Sequence, residues 1–249
     1  MQPLLIDTHC HFDPEDDARI LLEEATAQRV GVLAVGGNAV NNQTALESGS
    51  PCACGYDWSN VGVEPCLTRH ERMVAVGELG FDFHRGYSAE IEADQRERFA
   101  VQADFARREG LPIIVHTREA DAVTLSALRE ADVPKTGVIH SFTGDRHVAK
   151  ELLDLGYFIS FSGIVTFRNA DLLRDTAKYV PADRLLVETD SPYLAPVPLR
   201  GRRNRPAYVR ETAQFLAALR GMTMEDFAAL TVANAYCCFG AHPLWEALT

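Results

Sequence analysis

Eight short apolar runs alternate with helical stretches along this 249-residue chain, and that alternation constrains the fold more than any other feature. The runs are Leu4–Ile6, Val30–Val35, Ser59–Val63, Met73–Val76, Pro112–Val115, Thr136–Ile139, Tyr157–Phe161 and Arg184–Val187. Most are continuous in apolar character, as expected of parallel strands covered on both faces. Between them, Pro14–Arg29 carries Ile20, Leu21 and Ala25 on one stripe, Ala89–Glu109 is long with a charged outer side, and Glu119–Ala131 and Arg146–Leu155 repeat the pattern. Asn41–Ser48 is a further helix candidate, and Pro206–Gly221 and Thr223–Ala235 read as two helices of the tail. Strand–helix units with short connections make an α/β fold, a (β/α)8 TIM-type barrel with C-terminal helices, the expected architecture, as one domain over residues 1–249. A doubly wound open sheet would call for a Gly-x-Gly-x-x-Gly turn after the first strand, and there is none. Gly36-Gly37-Asn38 reads as a plain turn, and Gly49–Gly55 as a loop leading to the third strand.

Polar residues stand where the apolar runs end. His9 and His11 follow the first, and their spacing puts both imidazoles on one side of an extended chain. Glu78, His116, His140 and Asp190 follow four others. In a barrel the C-terminal strand ends converge on one mouth, where function sits, so six potential ligands from five strands are expected to meet there. Four histidines and two carboxylates exceed the needs of one tetrahedral zinc. They suit two divalent cations sharing a carboxylate, a device that clamps the attacking and leaving oxygens of a displacement. The expected chemistry is metal-assisted hydrolysis, with a carboxylate as general base. Magnesium, manganese, zinc and cobalt all remain open.

The net charge of -11 and a pI near 5.2 argue against a generally basic nucleic-acid coat, though not against a local basic patch. No apolar run approaches a membrane span, and no signal-peptide pattern opens the chain. The six cysteines, Cys10, Cys52, Cys54, Cys66, Cys237 and Cys238, lack zinc-finger spacing, and the expectation is reduced thiols in the cytoplasm. Oligomeric state is open, a monomer included.

Several runs together resemble one family. Asp7-Thr8-His9-Cys10-His11, Gly77-Glu78-Leu79-Gly80-Phe81-Asp82, Val115-His116-Thr117-Arg118, His140-Ser141-Phe142-Thr143-Gly144 and Glu188-Thr189-Asp190-Ser191-Pro192-Tyr193-Leu194 resemble, in order, the TatD family of metal-dependent deoxyribonucleases. Phe158–Phe167 and Asn204–Val209 extend the likeness over almost the whole chain. The resemblance implies a distorted barrel of the amidohydrolase superfamily. It also implies that His9, His11, Glu78 and Asp190 hold one metal, that Glu78, His116 and His140 hold the second with Glu78 bridging, and that Asp190 activates the water. Asp82 would either orient a ligand from behind or make a plain strand-end hydrogen bond. The implied partner is DNA, attacked as an exonuclease on single-stranded ends. The family's Gly-x-His-Pro-His after the third strand is expected at Gly62-Val63-Glu64-Pro65-Cys66, where both histidines are replaced.

Around this centre, Arg118 is a candidate phosphate contact, and so is the loop Arg200–Arg205, with Arg202, Arg203 and Asn204. A deacylase or amidohydrolase acting on a non-nucleic-acid or aminoacyl ester is the alternative, because the same ions polarise a carbonyl as readily as a phosphoryl oxygen. A non-catalytic metal-binding protein is the third reading, disfavoured by so full a ligand set.

Overall fold

The computed structural model describes residues 4–13, 15–131, 133 and 137–248. The strands are β1 (Leu5–Cys10), β2 (Val30–Val35), β3 (Cys52–Cys54), β4 (Met73–Asp82), β5 (Ile113–Arg118), β6 (Val138–Ile139), β7 (Phe158–Phe161) and β8 (Leu185–Val187). They lie side by side in sequence order, every pair parallel. An isolated parallel bridge from Cys10 to Ser191 joins the end of β1 to the chain just past β8, so the sheet curls into a nearly closed TIM-type barrel. The helices are α1 (Ala18–Ala27), α2 (Ala39–Glu47), α3 (Ala89–Glu109), α4 (Asp121–Glu130), α5 (Arg146–Asp154), α6 (Asp171–Tyr179), α7 (Val209–Leu219), α8 (Met224–Phe239) and α9 (Pro243–Glu246). Local chemistry sets their ends: Ser88 Oγ accepts from Ile91 N at the start of α3, and Gly110, at φ 64°, ends it.

One expected strand is displaced. The third strand is Cys52–Cys54, not Ser59–Val63, which forms turns and loop after it. Gly49–Gly55, expected as a loop, therefore contains the strand. The Cys-Ala-Cys run offers none of the β-branched residues that mark its neighbours. Helix α6 had no sequence expectation. Pro14 and Thr136, the expected first residues of a helix and a strand, lie outside the described residues.

The core has two layers. Outside the barrel, strand residues such as Val32, Leu79 and Ile159 pack against helix residues such as Phe99, Leu128 and Phe227. Inside it, Ile6, Leu33, Val35, Ile114, Val138, Phe158 and Leu186 fill the lumen. Phe239 and Trp245 join this inner cluster and close the end where the strands start. Trp245 is 1 % exposed, and its Nε1 donates to Val32 O at 3.1 Å. A Cβ on Gly31 would meet the indole at 2.7 Å, so a glycine is required beneath it. Functional residues are thereby confined to the other end.

The tail is thus part of the core, which predicts that Trp245→Ala will lower unfolding free energy by about 3–5 kcal/mol, the usual cost of truncating a buried tryptophan. Denaturant unfolding measures this. An effect near zero would separate α8 and α9 from the barrel.

Candidate metal centre

The barrel seam runs through the mouth. Asp190 N donates to His9 O at 2.9 Å and His11 N to Ser191 O at 2.7 Å, so the segments carrying His9, His11 and Asp190 hold one another. Asp7, fully buried behind them, accepts from Thr189 N at 2.8 Å and Thr189 Oγ1 at 2.6 Å. Burial pushes its carboxyl well above the usual range, against those hydrogen bonds.

Glu78 comes from the middle of β4, where the pairing with β5 slips between Val76 and Leu79. This irregularity turns Glu78 toward the mouth. Gly80, at φ 144°, lets β5 close in beside it: a Cβ there would stand 2.1 Å from His116 O. Asp190 also has a left-handed backbone, at φ 56°.

The two oxygens of Glu78 face two different groups. Oε2 lies 3.5 Å from His9 Nε2 and 3.4 Å from His11 Nε2, which are 3.1 Å apart. Asp190 Oδ1 stands 3.9 and 3.6 Å from the same nitrogens. Oε1 lies 2.8 Å from His116 Nδ1 and 3.1 Å from His140 Nε2, again 3.1 Å apart.

The outer nitrogens decide what these groups want. His11 Nδ1 meets Val35 O at 2.9 Å, a carbonyl that only accepts, so Nδ1 carries the hydrogen and Nε2 turns a lone pair inward. His116 Nε2 meets Asp82 Oδ2 at 3.1 Å, and His140 Nδ1 meets Glu188 Oε1 at 3.3 Å. These carboxylates likewise turn the inner nitrogens into acceptors. Acceptors then face acceptors, an arrangement that needs either extra protons or a cation. Ligand atoms about 2.0–2.2 Å from one ion stand roughly 3–3.5 Å from each other, which matches the spacings here. The donor set therefore fits a divalent cation. His9 Nδ1, buried with no hydrogen-bond partner among the described residues, is the one outer nitrogen with no second anchor.

Charge follows the same geometry. Burial opposes ionisation of Glu78, but His140, His11 and His116 outweigh it and hold the carboxyl well below its usual range. Burial also works against protonated His11 and His140, yet the carboxylates around them raise both well above 6.5. Asp190 is held low despite burial, chiefly by its hydrogen bond to His11.

The structure brings His9, His11, Glu78, His116, His140 and Asp190 to one place, with clusters His9–His11–Asp190 and Glu78–His116–His140 each close enough to share an ion. Asp82 stands behind His116. The sequence reading missed Glu188. It is fully buried, accepts from Ser141 N at 2.7 Å and backs His140. Its place one residue past β8 was the available signal. Asp57 was also missed: it sits three residues past β3, and burial and the nearby Glu78 charge raise its carboxyl.

The substrate candidates fare unevenly. Arg118 is exposed at the end of β5. Arg202 is exposed too. Arg203, though exposed, pairs with Asp13 at 2.7 Å and Asp16 at 2.8 Å, and Arg205 with Glu24 at 2.6 Å. Arg200 lies over the Phe167 ring at 3.7 Å. Asn204 is buried, and its amide donates to Thr189 O at 2.9 Å and Tyr193 O at 2.6 Å. It clamps the loop from beneath instead of meeting substrate. With β3 at Cys52–Cys54, the run following the third strand is Gly55-Tyr56-Asp57-Trp58-Ser59. Glu64 and Cys66 belong to an exposed loop farther on, so the positions that follow the third strand are not Gly62–Cys66 as expected.

A parallel barrel whose strand ends turn imidazole and carboxylate lone pairs onto shared points is the scaffold of a metal-dependent hydrolase. The chain belongs to the TatD family: a family model described as TatD related DNase matches residues 6–240. It is 45% identical over 249 residues to the uncharacterized metal-dependent hydrolase YcfH of Escherichia coli K12, spanning 92% of this chain and 93% of that one. Over 233 residues it is 35% identical to the 3'-5' ssDNA/RNA exonuclease TatD of Klebsiella pneumoniae, covering 84% and 86%. The crystal structure of YJJV, a TatD homolog from E. coli K12, superposes with a TM-score of 0.83 at 28% identity, covering 96% of this chain and 98% of that one.

Cation binding should release protons from His11 and His140, so affinity is expected to rise with pH through and above the ordinary histidine value of 6.5. Calorimetry in two buffers of different ionisation enthalpy reads the release. Glu188→Gln should weaken binding about 10–100-fold, the usual cost of losing a carboxylate behind a ligating histidine. Unchanged affinity would make Glu188 a packing residue only.

Proposed function

We propose that this chain is a phosphodiesterase acting on DNA, as an exonuclease on single-stranded ends, with two divalent cations in the barrel mouth. One observation carries the reading: Glu78 presents one oxygen to each of two inward-facing donor groups. His9, His11, Glu78 and Asp190 would hold one ion, and Glu78, His116 and His140 the other. Bound there, the ions would supply Lewis acidity and an acidified water. The nucleic-acid substrate is supported by the family's description and by the name of the Klebsiella relative.

The chain's own residues supply the rest. Asp190 stays ionised at neutral pH and faces the His9–His11 pair, placed to accept the attacking water's proton on its carboxylate. Asp82 and Glu188 fix two imidazoles so that no reorientation is needed during reaction. Arg118 is the proposed phosphate contact at the rim. No described helix is long and apolar enough to cross a membrane. All six cysteines are free thiols, which supports a cytoplasmic setting, and the shared core supports a single domain.

Hydrolysis of a carboxyl ester or amide is the second reading. It is favoured by one observation: Arg203 and Arg205 are neutralised by Asp13, Asp16 and Glu24, which removes much of the loop's pull on phosphate.

Chelation should abolish cleavage of a single-stranded oligonucleotide, and magnesium, manganese, zinc or cobalt should restore it. Asp190→Asn should lower kcat by about 10²–10⁴-fold, the range for a general base. A loss below tenfold at unchanged metal content would place the base elsewhere. Cleavage of carboxyl esters but not oligonucleotides would select the second reading.

A further inference from the structure

A phosphate-binding guanidinium has to stand at the mouth, be free of internal carboxylates, and be held in place. Arg85 meets these conditions. It is exposed, forms no ion pair with any described residue, and follows β4 by three positions. Its Cζ lies 5.3 Å from the centre of the Trp58 ring, within the range of a cation–π contact. Trp58 in turn stacks toward His116, with ring centres 6.1 Å apart and planes at 30°. Asp82 ties the same corner from the other side: Oδ2 meets His116 Nε2, and Oδ1 accepts from His84 N at 2.8 Å, one residue before Arg85.

The platform beneath Arg85 is rigid. Gln102, with no exposed surface, accepts from Tyr56 N at 2.7 Å and donates to Tyr56 O at 2.9 Å. Asp57 N donates to Gly37 O at 2.9 Å, while Asp57 Oδ1 accepts from Ser59 N at 2.8 Å and Asn60 Nδ2 at 2.9 Å. Arg98 reaches Asn60 O from α3. The tryptophan thus sits on a backbone fixed at both sides, and the arginine's five donors have no partner among the described residues.

We propose that Arg85, laid over Trp58, receives a substrate phosphate beside the His116–His140 half of the centre, with Trp58 as its positioning residue. The partner class is an anionic phosphodiester strand, and the inference rests on the phosphodiesterase reading. It places the grip on the β3–β5 side of the mouth, across from the Arg200–Arg205 loop, where Arg203 and Arg205 are paired with Asp13, Asp16 and Glu24. A planar guanidinium held against a ring presents two parallel N–H groups to a phosphate.

The test is steady-state cleavage of a single-stranded oligonucleotide by the metal-loaded full chain. Arg85→Ala should raise KM by about tenfold or more, the scale of one hydrogen bond to a charged group, and by more than it lowers kcat. The slope of log KM against log salt should fall by about 0.7, one phosphate contact on a single strand. Arg108→Ala, which removes the same charge at the far end of α3, controls for net charge. Trp58→Leu should reproduce much of the KM rise, Trp58→Phe should restore most of it, and the Trp58→Leu, Arg85→Ala pair should be no worse than Arg85→Ala alone. Wild-type protein that cuts the oligonucleotide, with Arg85→Ala matching it in KM and salt slope, overturns this inference and leaves the phosphodiesterase reading standing. Wild-type protein that leaves the oligonucleotide intact overturns both. Additive effects of Trp58→Leu and Arg85→Ala would remove Trp58 from the positioning role.

Discussion

The carboxylate of Glu78 is the constraint on which the rest of the mouth depends. One buried group faces two histidine pairs, and it does so because β4 slips against β5 at that point and Gly80 lets the neighbouring backbone come close. Each imidazole paired with it is oriented from behind, except His9, which relies on the seam with Asp190 and on stacking against His140 at 4.0 Å. A side chain that must face two histidine pairs at once tolerates little freedom, and the surrounding strands supply that stiffness.

The residues that gather at the mouth also close the barrel. Thr8 Oγ1 donates to Val187 O, and Asp7 holds Thr189 by two hydrogen bonds. Fold and site are therefore not separable at β1 and β8: an error in the seam would displace three of the six donors together. The opposite end carries no such demand and is filled by Phe239 and Trp245.

What could be read from the sequence follows from which interactions are local. The strand ends bearing His9, His11, Glu78, His116, His140 and Asp190 were legible, because each follows an apolar run and the barrel brings those ends together. The third strand was not, since Cys52–Cys54 is short and lacks β-branched residues, while Ser59–Val63 mimics a strand but forms a loop tied to Arg98 and Asp94. The Arg200–Arg205 loop looked like a phosphate clamp because its neutralising partners are remote: Asp13, Asp16 and Glu24 lie near the other end of the chain. Glu188 escaped for the same reason, its role being defined by His140 across two strands.

Charge gives the mouth a conditional character. Glu78, Asp190, Asp82 and Glu188 cluster there in a chain of net charge -11, and Asp57 adds a carboxyl beside them. Such a surface by itself repels a phosphodiester, and the arginine loop offsets this only in part because two of its four guanidinium groups, those of Arg203 and Arg205, are paired with Asp13, Asp16 and Glu24. On the proposed reading, divalent ions are the largest local charges and reverse the sign of the potential where the scissile phosphate would lie. On the same reading Arg85 and Arg118 would add single phosphate contacts to a substrate that the loaded centre already attracts. An acidic protein of this design would engage anionic substrate at its centre and nowhere else, because long-range attraction is absent and screening limits the field of the mouth to about a Debye length, ~8–10 Å at moderate salt.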